Sequence, residues 1–342
     1  MSHNIQELDS VVATEKTWHG LETIVEKIGL ENSGLDWLVT EKPAYFHGAK
    51  GALKKSESVK VLVRQSDFEE IAVVKTSYGV IQNSRIWEVI QKSLDGIPHQ
   101  VTCALSMGNL QKICVSLRLT ENDGFELARN NGTMDKFLTN LNFCSSHDGS
   151  IALHAYDSAI RVVCQNTLNY SLAGNSNFRI KAKHTSNNEP QIVNMEKQLE
   201  KLFELRLNFL ERLKSLDDSH ISYETAAKAV IGFINTGEIS TNGANRSKDI
   251  VERFIKGDGN FGVSRYDLLN GFTESYTRDV TGGNPTKKFM SSEFGSASKT
   301  KVDFYDALMS DAEIDKLVAN GEKLLALDMR PNARLAIEAI GI

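Results

Sequence analysis

Ser146, His147 and Asp148 stand side by side in the run Ser145-Ser-His-Asp-Gly149, the residue types of a nucleophile, a base and its orienting acid. Adjacent side chains diverge, whereas such a triad converges in space from separate elements, so the run reads as a tight turn. Cys144, His147, His154 and Cys164 are metal-ligating types on neighbouring segments. They lack the paired knuckles of a structural zinc site, and both cysteines fall inside apolar runs, so no metal is expected. Gly257-Asp-Gly259-Asn-Phe-Gly262 has the glycine spacing that cradles a dinucleotide. A helix precedes it where a strand is required, and Asp258 would face the phosphates, so the reading is a surface loop and no cofactor.

Binding chemistry has more candidates than catalysis. From Arg246 to Tyr305 basic and aromatic residues alternate: Arg253 with Phe254, Arg265 with Tyr266, Tyr276 with Arg278, and Lys287-Lys288-Phe289. Cations neutralise phosphates while aromatic faces stack on unpaired bases. Ten Lys or Arg against eight Asp or Glu leave this window at only +2, and solvated helix faces over buried aromatics give the same pattern. Arg161, inside an apolar run, must meet a carboxylate, a carbonyl cluster or a phosphate, because a guanidinium cannot shed its charge. Asn166 is read first as a helix N-cap and second as a ligand contact.

These residues have to be held by elements. Residues 1–58 mix short apolar runs with turn formers; Trp18-His-Gly-Leu21 and Pro43-Ala-Tyr-Phe-His-Gly48 read as packed loop anchors, and Lys54-Lys-Ser-Glu-Ser58 as an exposed link. Strand texture begins at Val59 with Lys60–Arg64 and Glu70–Lys75. Ile86, Trp87, Ile90 and Leu94 mark a helix opened by Asn83-Ser84 and ending near Gly96. Val101–Ser106 and Gln111–Leu119 form a hairpin; with Gly108-Asn109 as its two-residue loop, Cys103 lies across from Cys114, read as two small apolar residues in a sheet. Lys136–Cys144 and Ile151–Tyr156 flank the His147 turn, and Asn166 or Thr167 opens a short helix at Leu168–Leu172.

After the polar break Ser186–Pro190, apolar residues from Ile192 to Leu216 recur at near-heptad spacing, a long helix that either pairs with another subunit or lies on its own domain. Further helices are read at Tyr223–Ile234, Lys248–Lys256, Tyr266–Thr277, Asp311–Asn320 and Pro331–Ala339. The fold class is α+β: mostly antiparallel β-sheet with helices in the N-terminal half, then a mainly helical C-terminal half. The divisions are a loop-rich segment 1–58, a mixed sheet domain 59–187 and a helical domain 188–342 opening on the long helix.

A chain of 342 residues with net charge −5 is no general magnet for nucleic acid or anionic lipid, so such binding requires a local basic surface. The first ten residues lack the basic and apolar regions of a signal peptide, and no apolar run approaches the ~20 residues that cross a bilayer. Four scattered cysteines suit a reducing cytoplasm.

Several blocks together carry a resemblance: Trp18-His19-Gly20, Ser146-His147-Asp148-Gly149, Arg161-Val-Val-Cys-Gln-Asn166-Thr167-Leu168, Lys183-His184-Thr185, Asn270-Gly-Phe-Thr273-Glu274 and Phe294-Gly295. The chain resembles the phage/plasmid-like protein family, also catalogued as domain-of-unknown-function family nine-three-two. One departure is Glu22, where such proteins commonly carry glycine after Leu21. The resemblance supplies no activity. It implies a mobile-element setting in a bacterial host and hence a role in DNA metabolism, in the manner of a ring-forming single-strand annealing protein. Under that reading Arg161, Lys181, Lys183, Lys287 and Lys288 contact phosphate, Tyr266 or Tyr276 stacks on bases, the protein is a homo-oligomer, and no cofactor is needed. Two alternatives stay open: an interaction protein that engages a host factor through its helical half, and a nuclease or other hydrolase with His19, His147 and Asp148 in one cleft.

Overall fold

A computed structural model describes residues 8–13, 23–119, 124–161, 167–169, 179–278 and 296–342. It shows the expected α+β class, with strands crowding the first half and helices the second. Three strands, β1 (Leu8–Ala13), β2 (Thr23–Ile24) and β3 (Val39–His47), come first, followed by β4 (Leu53–Arg64) and β5 (Glu70–Lys75). β3, β4 and β5 make a small antiparallel sheet in that order. The stretch around Tyr45 and Lys54 is therefore a β-ribbon, and its reading as packed loop anchors and a link is corrected. Helix α1 (Asn83–Ser93) buries Ile86, Trp87, Val89 and Ile90, as the apolar spacing predicts.

The large sheet takes β6 (His99–Met107), β7 (Lys112–Leu119), β8 (Gly124–Ala128), β9 (Met134–Ser146), β10 (Leu153–Arg161), β11 (Thr167–Asn169) and β12 (Arg179–Ala182). Its order is β11-β10-β9-β7-β6-β1-β2, with β12 also on β10 and β8 also on β9. Only the β1–β2 pairing is parallel among the described strands. The β6–β7 register corrects the hairpin reading. Met107 pairs with Lys112, so the loop has four residues, Gly108, Asn109 and Leu110 all taking positive φ. Cys103 then lies opposite Ser116, and Cys114 faces Cys144 on β9, where the two are disulfide-bonded. The helix read from Thr167 is also corrected, because Thr167–Asn169 pairs with β10 as strand β11.

Helix α2 (Glu189–Asp218) accepts Pro190 in its first turn, where a missing N–H costs nothing. Then come α3 (Tyr223–Ile234), α4 (Thr241–Lys256), α5 (Arg265–Arg278), α6 (Ser296–Leu308), α7 (Asp311–Leu325) and α8 (Pro331–Glu338). Ser222, Ser240 and Ser310 cap α3, α4 and α7 by accepting from backbone N–H groups in the first turn. One core lies between the large sheet and α1 with the start of α2, whose Ile192, Met195 and Leu199 are buried there. A second, helical core takes Phe209, Leu213 and Leu216 from the other end of α2, and Leu127 and Phe137 from β8 and β9. None of the helices among the described residues is long and apolar enough to cross a membrane.

Candidate nucleic-acid interface

The turn Ser145–Gly149 is a structural joint. His147 is fully buried; its Nε2 lies 3.0 Å from Asn83 Oδ1, its backbone N–H donates to Gln111 O at 2.6 Å, and Trp37 packs edge-on against the ring. His184 stacks on Tyr78 at 4.9 Å, with Nε2 3.2 Å from Ser145 Oγ and Nδ1 3.3 Å from the Gly79 carbonyl. Burial pushes His147 down to about 3, with help from nearby His184, and pushes His184 down to about 4. Both imidazoles are therefore neutral at pH 7, held as packed and hydrogen-bonded rings of the joint. Burial works against the charge of Asp148, but Lys112 at 2.8 Å and the Ser150 N–H hold its carboxyl below the usual range. Gly149 takes φ +75° to turn the chain.

This joint carries the small sheet. Tyr78 donates its hydroxyl to Ser146 O at 2.7 Å, and Lys60 reaches Tyr78 O at 2.8 Å. Gln82 exchanges two hydrogen bonds with the Val39 backbone, while Asn109 and Gln111 donate to the carbonyls of Glu70 and Ile71. Removing the Tyr78 hydroxyl would strand a buried carbonyl, a loss of about 1–3 kcal/mol.

The block Asn270–Glu274 is a packing device. Gly271 lets α5 cross α4 so closely that an added Cβ would sit 2.7 Å from Phe254 N. Glu274 accepts from Arg253 at 2.8 Å, Phe272 stacks on Phe304 at 3.9 Å, and Thr273 donates to the Asn270 carbonyl, all in the interior. Arg129 goes unread in the sequence. Its buried guanidinium bonds Asp217 at 2.9 Å and Asp267 at 2.7 Å, and Asp135 lies at 3.6 Å. No motif announces it, since its partners lie about 90 and 140 positions downstream, separations that only the fold closes.

Among the described residues, those assigned to phosphate and base contact are not all at the surface. Tyr266 is fully buried and donates to Asp135 at 2.9 Å, so its stacking role is withdrawn. Tyr276 is taken by Phe272 on one side and Arg246 above its ring, and Arg265 is spent on Asp311 and the Leu308 carbonyl. Lys181, on β12 opposite His154, and Lys183 are exposed. Arg161 ends β10, paired with Phe137, and Thr167 opens β11. Trp18, His19, Gly20, Asn166, Lys287, Lys288 and Gly295 lie outside the described residues.

The alternation of cation and aromatic occurs instead on β3–β4. β5 pairs with β4 only between Val59 and Val63, whereas β3 follows β4 out to Leu53. The far end is therefore a two-stranded ribbon with no third described strand beneath it. Tyr45 pairs with Lys55, Phe46 with Lys54 and His47 with Leu53. Tyr45 is 56% exposed, Phe46 52% and Leu53 63%. From Pro43 to Lys55 there are three lysines and no Asp or Glu, and no ion pair among the described residues engages Lys50, Lys54 or Lys55. The sequence signal was Gly48-Ala-Lys-Gly51 between two β-prone runs, a hairpin pattern that Pro43 disguised.

An α+β chain with a buried histidine joint and a glycine-tight helix crossing is the class that these blocks define. The family described as Domain of unknown function (DUF932) matches residues 70–303, and the chain belongs to it. That span holds the joint and the crossing and begins at β5, so the arm precedes it. Neither a curated protein nor a solved structure matches the chain.

Proposed function

We propose that this protein binds single-stranded nucleic acid through the β3–β4 arm, as a component of DNA metabolism. The carrying observation is the solvent-exposed ribbon on which Tyr45 and Phe46 each stand across from a lysine. Leaving Tyr45, Phe46 and Leu53 about half exposed forgoes roughly half of the 1.5–3 kcal/mol that fully burying such a side chain contributes. A ligand with stackable rings along an anionic backbone covers the aromatics and neutralises the lysines together. No bond is broken, so no general base and no metal is called for.

The test is fluorescence anisotropy of a labelled single-stranded oligonucleotide across a salt series, with duplex as control. Tight binding that weakens steeply with salt is expected. Y45A/F46A abolishes it at unchanged Tm, and K54A/K55A flattens the log–log salt slope by about 0.7 for each phosphate no longer neutralised. Flat anisotropy at low salt, or variants that bind like the parent, overturns the reading and turns attention to a protein partner for the arm.

A further inference from the structure

The arm has two usable faces. Successive side chains of a strand point to opposite sides, so the observed register sets Tyr45 and Lys55 on one face and Phe46 and Lys54 on the other. Both aromatics and both lysines are exposed. Among the described residues the ribbon is one layer thick, and its tip is narrow: Gly48, Ala49, Gly51 and Ala52 surround Lys50, Gly48 N–H closes on Ala52 O at 2.8 Å, and Lys50 and Gly51 turn the chain with positive φ. A platform for one strand needs only one such face. Two equivalent faces behind a slim, cationic tip suit a place where two strands part.

Resting on the binding proposed above, we infer that the arm is a wedge for forked DNA, entering where a duplex opens into two unpaired tails. One strand follows each face, with a base stacked on Tyr45 on one side and on Phe46 on the other, while Lys55 and Lys54 neutralise the two backbones. Lys50 at the tip meets the converging phosphates of the junction.

Three labelled probes of equal unpaired length test it: a fork with two tails, a duplex with one tail, and an unpaired strand, with 2-aminopurine at the last paired position of the fork. The fork should bind at least about fivefold tighter than the one-tailed duplex, the gain of one further stacked base. The 2-aminopurine should brighten as its neighbour unstacks. Y45A and F46A should each reduce fork binding to the one-tailed level, with thermal melts confirming both fold. If the fork binds no tighter than the one-tailed duplex while the unpaired strand still binds, the wedge is wrong and single-strand binding stands. If no probe binds, the proposed function falls and the wedge with it.

Discussion

Gly271 illustrates how one absent methyl governs two helices. Helix propensity alone favours Gly271→Ala by about 1 kcal/mol. The added carbon would lie 2.7 Å from Phe254 N and 3.0 Å from Ile250 O, and backbone atoms there cannot yield without parting α4 from α5. A net destabilisation of about 1–3 kcal/mol is expected by urea unfolding, opposite in sign to propensity. The histidines predict a pH dependence. His147 and His184 hold native pKa values of about 3 and about 4 against an ordinary 6.5. Above 6.5 both are neutral whether folded or not. As the pH drops below 6.5 the unfolded chain takes up protons that the native joint refuses, so stability falls, levelling off only below about 3. The urea midpoint should decline from pH 7 to 5, and His147→Gln should make that decline shallower; an identical decline in the variant would contradict the joint.

Among elements, the arm and the joint contrast. A two-stranded ribbon that no other described element covers is marginal in water, so amides of Tyr45–His47 and Leu53–Lys55 should exchange hydrogen faster than those of β6, β7 and β9, and slow when nucleic acid is added. Elements with a dense local pattern were legible from sequence: α1 from Ile86, Trp87 and Ile90, α2 from its recurring leucines, and the β9–β10 hairpin from strands around an Asp-Gly turn. The β6–β7 register was not, because Gly108-Asn109 chemistry fits a two-residue loop as well as the four-residue loop in which Leu110 also takes positive φ. The arm was missed for a related reason. Between Tyr45 and Lys55 the ribbon buries no residue and shows no apolar alternation, and exposed Tyr45 and Phe46 look in a sequence like anchors for a core. Within the basic-aromatic window Tyr266 misled in the opposite direction, since spacing along a helix does not say whether Tyr266 faces Asp135 or water.

For the whole molecule, Arg129 ties the β8–β9 hairpin to the end of α2 and the start of α5 through three buried aspartates. Arg129→Met would remove the guanidinium that those carboxylates share, a loss of about 3–5 kcal/mol that should appear as a lowered Tm. The clasp and the arm differ in reach: the clasp joins residues about 90 and 140 positions apart at the helical core, whereas the arm pairs residues within ten positions of each other. Helix α2 spans those cores over its 30 residues, about 45 Å of rod. Each core encloses only half of it, and a freed half-rod of about fifteen residues is barely helical in water. The chain therefore cannot be dissected at its apparent midpoint. A cut within α2 would yield two fragments, each with an open core and a fraying stump, and they would fold only when mixed.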